Sequence, residues 1–355
     1  MAHGNETARG AACGLAAAAL FGASAPVSKL LLPSASPLVL SSLLYLGAGI
    51  ALSIVLALRS RTVEAPLRTA DWTLLAIIAV LGGAVAPVLM LSGLRRTTGV
   101  AGSLLLNLEA PFTIFLALAF FREHAGAKVL AAAALIVAGG ALLGVPATDG
   151  LAQVDPLGAA LIAGACACWA IDNNLSQRLS SRDPLTTVRI KALSAGVLTL
   201  VLAIAFGESR PVWPVIAGAL LLGSASYGLS IVLDMYALRL LGAAREAAFF
   251  ATAPFVGALL AIPLLGDRPT MLQAGAAMVM IAGVVLLARE RHRHLHTHDP
   301  AEHEHVHVHD DHHQHAHDPE LGAIAADEPH SHPHRHAALT HDHPHTPDIH
   351  HRHRH

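Results

Sequence analysis

The sequence predicts an all-α integral membrane protein, with ten transmembrane helices in two inverted five-helix repeats and a disordered C-terminal tail. Three observations predict it. The 355 residues are 54% hydrophobic and only 14% charged, with a mean hydropathy of +0.52, whereas soluble domains carry about 25% charged residues. Apolar blocks long enough to cross hydrocarbon follow one another with short loops between them. A series of motifs in the first half returns in the second. Beyond residue 288 the composition changes abruptly, and all 25 histidines except His3 and His124 lie there.

A helix crosses the ~30 Å hydrocarbon core with ~20 apolar residues. Blocks of that kind run over Ala11–Leu32, Pro37–Leu58, Trp72–Gly93, Val100–Phe121 and Lys128–Val145. They continue over Leu157–Leu175, Thr187–Phe206, Pro214–Tyr236, Ala247–Leu265 and Met271–Ala288. Turn residues separate them, as in Pro33-Ser-Ala-Ser-Pro37 and Gly207-Glu-Ser-Arg-Pro211. Alanine and glycine run throughout the blocks, and small residues let helix backbones approach closely in lipid. Only Arg9 precedes the first block and Lys29 interrupts its end, so it reads as a retained span rather than a cleaved leader. The expected organisation is an N-terminal segment 1–10, a first repeat 11–145, a linker 146–156, a second repeat 157–288 and a tail 289–355.

Lysine and arginine set orientation. With the N-terminus inside, cytoplasmic segments hold Arg9, Arg59, Arg61, Arg68, Arg122, Lys128, Arg178, Arg182, Arg189, Lys191, Arg239, Arg245, Arg289, Arg291 and Arg293. Outer segments hold only Lys29, Arg95, Arg96, Arg210 and Arg268. The bias predicts a cell membrane protein of bacterial inner-membrane type with both termini cytoplasmic. A net charge of −2 and the lack of a basic patch with interleaved aromatics exclude a nucleic-acid partner. The lipid bilayer is the implied environment, and a homodimer is a candidate assembly. Cys13, Cys166 and Cys168 lie in apolar blocks and read as packing residues. No phosphate loop, nucleophile–base pair or HExxH motif is present, which argues against an enzyme.

Glu109-Ala-Pro-Phe112 leads to Arg122-Glu123 and then to Ala138-Gly-Gly-Ala-Leu-Leu143. In the second half Thr252-Ala-Pro-Phe255 leads to Gly266-Asp267 and then to Ala282-Gly-Val-Val-Leu-Leu287. Gly99 likewise matches Gly242. Each half contributes five spans, and an odd number inverts the second half relative to the first. Inverted repeats are typical of secondary transporters, whose substrate sites lie near the midplane between halves.

On these residues the body resembles the ten-span EamA type of the drug/metabolite transporter superfamily. The resemblance rests on Leu106-Asn-Leu-Glu-Ala-Pro-Phe112, Phe121-Arg-Glu123 and Leu135-Ile-Val-Ala-Gly-Gly140 in the first half. In the second it rests on Ala253-Pro-Phe255, Leu265-Gly-Asp267 and Met280-Ile-Ala-Gly283. It implies a proton- or exchange-driven carrier of small solutes, commonly an exporter, and implies no particular substrate. Thr252 stands where the first half has Glu109, so the acidic position is single. The histidine-rich tail is similar to that of nickel- and cobalt-resistance members of the superfamily.

A charge at the centre of a membrane helix costs ~2.5–3.5 kcal/mol on insertion scales, so those that remain need a reason. Glu109 lies mid-span, two residues before Pro111, and reads as a carboxylate that exchanges a proton for a cation. Pro111 removes the hydrogen bond to the Asn107 carbonyl, which leaves that carbonyl and the Asn107 side chain as candidate ligands. Pro111 and its repeat-mate Pro254 read as hinges. Asp172 and Asn173 follow as candidate oxygen ligands, with the alternative that Asp172 pairs with Arg189 or Lys191. Asp234 and Glu246 read more as interfacial ion pairs than as site residues. Lys29 either snorkels to the interface or faces the cavity and neutralises an acid. Glu123 and Asp267 read as structural turn residues.

The tail alternates histidine with other residues through His292, His294, His296 and His298, then His303, His305, His307 and His309, then His312, His313, His315 and His317. Neutral imidazole is the commonest metal ligand and suits nickel, cobalt, zinc and copper. With little apolar mass, the segment is expected to stay disordered until metal binds. No cofactor is required by the body. The leading expectation is proton-coupled export of a transition-metal cation, nickel or cobalt before zinc, with the tail capturing cytosolic metal. Against it, the spans contain no histidine. The alternative is an exporter of an amino acid or other metabolite whose tail is a metal-responsive regulator or sink. A membrane-anchored metal store fits poorly, because an anchor needs no ten-span repeat.

Overall fold

The computed structural model describes residues 2–59, 65–121, 126–145, 155–179, 182–241, 249–289, 295–298, 301–307, 330–336 and 339–342. Among the described residues, eight helices are long and apolar enough to cross a membrane, and two shorter apolar helices complete the series. They are α1 (Ala8–Leu31), α2 (Pro37–Leu58), α3 (Asp71–Leu94), α4 (Gly99–Phe120), α5 (Ala127–Leu143), α6 (Pro156–Ser176), α7 (Pro184–Ala205), α8 (Trp213–Ala237), α9 (Ala253–Leu265) and α10 (Met271–Ala288). The first helix already starts at Ala2, so α1 continues the N-terminal segment without a break in helicity.

Local chemistry fixes several starts. A side chain at the helix entrance satisfies an amide that has no partner in the first turn. Ser36 accepts from the Val39 amide at 3.3 Å ahead of α2. Thr98 accepts from Ala101 at 3.1 Å ahead of α4. Asp183 accepts from Leu185 at 3.2 Å and starts α7 at Pro184, three residues before the apolar run suggests. Thr270 and Gln273 cap each other's backbone amides at the start of α10.

The packing obeys the predicted exchange of halves. Helices α2 and α7, α4 and α9, and α5 and α10 each pack on their own repeat-mate. The remaining main contacts come in exchanged pairs: α1 with α8 and α6 with α3, α2 with α8 and α7 with α3, α4 with α6 and α9 with α1. The core lies where these meet, with Leu40, Leu44, Leu91, Leu94, Leu104 and Ile162 fully buried. Large apolar side chains such as Phe120, Leu221, Leu259 and Met278 lie on the outside, the arrangement a lipid solvent favours.

Two glycines let α2 and α8 touch backbone to backbone. A Cβ at Gly47 would stand 2.2 Å from the Leu220 carbonyl oxygen, and one at Gly223 would stand 2.0 Å from that of Leu44. Helices associate in lipid largely through such close approach.

Beyond α10 the described backbone forms two antiparallel strand pairs. Strand β1 (Leu295–His298) pairs with β4 (Leu339–Asp342), and β2 (Ala301–His307) pairs with β3 (His330–His336). The alternation of histidine with other residues has the two-residue period of a strand. Register sets His303 opposite His334, His305 opposite His332 and His307 opposite His330.

Gly223→Val should force α2 and α8 apart, at a cost of roughly 1–3 kcal/mol for overpacking. In detergent this variant is expected to aggregate at a lower temperature than the parent. Gly275→Ala, whose new methyl meets nothing within 4 Å, should not. Equal melting of the two variants would contradict the close contact.

Candidate functional site

Four of the spans depart from regular α-helix, and two of those departures are repeat-mates. Helix α3 widens to a π-turn at Ala79–Val85, and α8 does so at Ser224–Leu229. Helix α4 tightens to a 3-10 turn at Leu106–Leu108, and its repeat-mate α9 begins at Ala253 directly after a turn at 251–252. Helix α1 breaks at Ala23, between Ala2–Gly22 and Ser24–Leu31. Paired interruptions in corresponding spans of inverted repeats mark the substrate region of transporters.

The prolines act at these breaks. Pro111 is the third residue of the helical segment Glu109–Phe121, and Pro254 lies in the first turn of α9. A proline is tolerated there because first-turn amides have no intrahelical acceptor. Both therefore restart a helix after an interruption. Glu109 opens the restarted part of α4, and Thr252 holds the matching place ahead of α9, where its hydroxyl donates to the Phe249 carbonyl at 2.6 Å.

Glu109 is joined by residues of α6 and α7. The Asn173 side-chain amide donates to Glu109 Oε1 at 2.7 Å. Beside it, buried Asp172 accepts from the Lys191 ammonium of α7 and from the Ser176 hydroxyl at 3.1 Å. Of the two expectations for Asp172, the ion pair with Lys191 is the one formed. Asn174 ties α6 to α4 by donating to the Thr113 carbonyl at 3.2 Å.

The π-turn of α3 makes room for this cluster. A Cβ at Gly82 would stand 2.1 Å from Asp172 Oδ2, so only glycine admits the carboxylate there. The Gly82 carbonyl accepts two side-chain donors, Tyr45 Oη at 3.0 Å and Trp169 Nε1 at 2.9 Å. Tyr45 stacks on Tyr227 of the other π-turn with ring centroids 5.5 Å apart, and Phe21 packs edge-on against Tyr227 at 5.6 Å. An aromatic row thus links the two π-turns across the middle of the bundle. Sequence reasoning missed Tyr45, Tyr227 and Gly82. Their one legible signal was the match of Gly83 to Gly228 in the repeat.

Other expected site residues fall elsewhere. Asn107 is buried and donates to Leu104 of its own helix at 3.0 Å, so it braces the 3-10 turn instead of reaching Glu109. Asp234 is partly buried, and its Oδ1 has no hydrogen-bond partner among the described residues. Lys29 neither snorkels nor meets an acid directly. It donates to the Leu94 carbonyl at 2.5 Å and to that of Thr97, and so caps the carbonyl end of α3. Asp267, expected as a plain turn residue, accepts from the Val100 amide of α4 at 2.9 Å, across the two halves. Arg96 in the same α3–α4 turn donates to Asp155 at 2.6 Å and holds that carboxyl below the usual carboxylate range.

Among the described residues no three His, Cys, Asp or Glu side chains come together as a metal-binding group. Of the tail histidines, His292, His294, His309, His312, His313, His315 and His317 lie outside the described residues, as do Glu123 and Glu246. His296, His298, His303, His305 and His307 lie on β1 and β2.

Removing Asp267 or Lys29 should loosen the α3–α4 turn. Loss of a helix-end cap costs on the order of 0.5–2 kcal/mol, so Asp267→Ala and Lys29→Ala should each raise hydrogen exchange of amides 94–100 by several-fold. Hydrogen–deuterium exchange of the detergent-solubilised chain measures this, and unchanged exchange would show that neither contact holds the turn.

Comparison with known proteins agrees with the repeat. The model of the EamA-like transporter family matches residues 8–145 and again 156–289. An uncharacterized transporter of Methanothermobacter thermautotrophicus is 30% identical over 291 residues, covering 77% of this chain and 84% of its own. The threonine/homoserine exporter RhtA of Salmonella typhimurium is 28% identical over 138 residues, covering 39% of this chain and 47% of its own. A protein crystal structure superposes with a TM-score of 0.57 at 19% identity, over 78% of this chain and 95% of the other, a likeness of fold alone.

Proposed function

The chain belongs to the EamA-like transporter family, and on that footing we propose that its body exports a small amphoteric organic solute of the amino-acid class, in exchange for protons. The observation that carries this reading is the polar cluster at the helix breaks. It holds one carboxylate bonded, among the described residues, by a single side-chain amide, Glu109 with Asn173, and one ammonium, Lys191 paired with Asp172. A site that offers both signs of charge suits a solute that carries both. A bare divalent cation would meet the Lys191 charge. The partial similarity to a threonine/homoserine exporter supports the same class.

In this reading both termini are cytoplasmic and the halves rock about the shared breaks. Glu109 holds either a proton or the solute's ammonium group. Proton and solute ammonium compete for this one carboxylate, so a proton arriving from outside displaces the outgoing solute and returns with Glu109 to the cytoplasmic side. The tail then serves as a metal-responsive regulator or sink.

A second reading is export of nickel or cobalt, with the tail delivering the ion. The observation favouring it is the strand register that sets His303, His305 and His307 opposite His334, His332 and His330.

Efflux from preloaded cells separates the two. Cells expressing the intact chain, a truncation after Glu290, and Glu109→Gln are loaded with radiolabelled threonine or with radiolabelled nickel. The amino-acid reading expects threonine efflux from the intact and truncated chains, and at least a tenfold loss in Glu109→Gln at equal expression. Nickel efflux that stops in Glu109→Gln, without threonine efflux, would replace this reading with the metal one.

A further inference from the structure

Lys191 lies in α7 against the π-turn of α3, where Gly83 brings the two helices together. A Cβ at Gly83 would meet Ala195 at 2.6 Å and the Lys191 side chain at 3.7 Å. The lysine side chain keeps 19% of its surface exposed, while its partner Asp172 keeps 4%. The two members of the pair are also unequally satisfied. Asp172 accepts from Lys191 and from Ser176. An ammonium has three donors, and among the described residues Asp172 is the sole acceptor bonded to Lys191. The lysine therefore has donors that Asp172 does not use, on a side chain that is still partly exposed. Glu109 likewise engages one carboxylate oxygen with Asn173, which is itself exposed.

A purely structural role explains this poorly. Replacing a buried ion pair by apolar residues is often neutral or stabilising, and α7 already packs closely on α2 and α3. An ion pair kept inside the spans, with its acid satisfied and its base only partly so, is what a competitor for that base requires. A solute carboxylate is such a competitor. It takes the free donors of Lys191 while Asp172 keeps the remaining one, so the ammonium is never left unpaired as the solute arrives and leaves.

We infer that Lys191 is the specificity-determining residue that recognises the carboxylate of the transported solute, with Asp172 as its resident counter-ion and Glu109 receiving the solute's ammonium group. The inference rests on the amino-acid reading above. It adds that a solute lacking the carboxylate is excluded by Lys191 itself.

The test uses the purified full-length chain in lipid vesicles loaded with threonine, with counterflow of radiolabelled threonine as the signal. Competitors are unlabelled threonine and threoninol, in which a hydroxymethyl group replaces the carboxylate. Hydrogen bonds to charged groups correspond to roughly tenfold to hundredfold in affinity, so the intact chain should prefer threonine by at least tenfold. In Lys191→Met that preference should fall to within about twofold, and Lys191→Arg should restore it. Should Lys191→Met fold poorly, Asp172→Asn carries the test. Removing the resident competitor should lower the threonine concentration for half-inhibition and leave that for threoninol unchanged, whereas a structural pin predicts both to rise. An undiminished preference in Lys191→Met, or parallel weakening of both compounds in Asp172→Asn, overturns the role of Lys191 while leaving amino-acid export intact. Absence of threonine counterflow in the intact chain overturns the export reading, and this inference with it.

Discussion

In hydrocarbon every peptide group needs a partner within the protein, because no water is there to supply one. An unbroken helix meets that demand alone, but it offers no polar surface for a solute. This chain interrupts α1, α3, α4, α8 and the entry to α9, and the interruption in α3 is held by groups brought from other helices. The Gly82 carbonyl in the π-turn of α3 shows how. It accepts from Tyr45 of α2 and Trp169 of α6 at once, so three helices converge on one oxygen. The glycine that frees this carbonyl also admits Asp172. Backbone satisfaction and the placing of charge are thus one event, and the rest of the central cluster is built out from it.

The architecture is symmetric and the chemistry is not. The largest helix contacts exchange between halves, and the π-turns lie at matching places in α3 and α8. Yet the first π-turn sets its glycines against an acid and a base, Gly82 against Asp172 and Gly83 near Lys191. The second presents Tyr227 and Ser226, and the Ser226 hydroxyl donates to the Leu20 carbonyl at 2.7 Å. Glu109 faces a polar cluster, whereas Thr252 turns back to Phe249, ahead of α9. The fold thus supplies two equivalent frames, and one of them carries the charge.

Much of the fold was legible in the sequence. The ten spans, the two inverted halves and the position of Glu109 at a break follow from hydropathy, the odd span count and the repeated Ala-Pro-Phe motif. These are local or periodic signals, written in consecutive residues. Helix starts were less legible, as at α7, because a cap such as Asp183 is a single polar residue ahead of the apolar run. The site was legible in part. Asp172 and Asn173 stood out as polar side chains within a span, and Lys191 was one of two proposed partners for Asp172. The convergence of Tyr45, Trp169 and Gly82 was not legible, since it depends on which faces of three distant helices meet. The partners of Asn107 were not legible either: its amide donates to Leu104 of its own preceding turn and lies 3.9 Å from Met280 Sδ of α10.

The inverted repeat also bears on how such a site arises. A five-helix unit ends on the opposite side of the membrane from where it begins, and an inverted second copy begins where the first one ends, so the short segment 146–155 suffices to join them. Two separate copies of one ancestral half would have carried the same residue at positions 109 and 252, as two carboxylates or as none. Once both halves are encoded in one chain, each position mutates independently. Two halves encoded in one chain can thus hold a single acid on a nearly symmetric scaffold, as Glu109 and Thr252 do here.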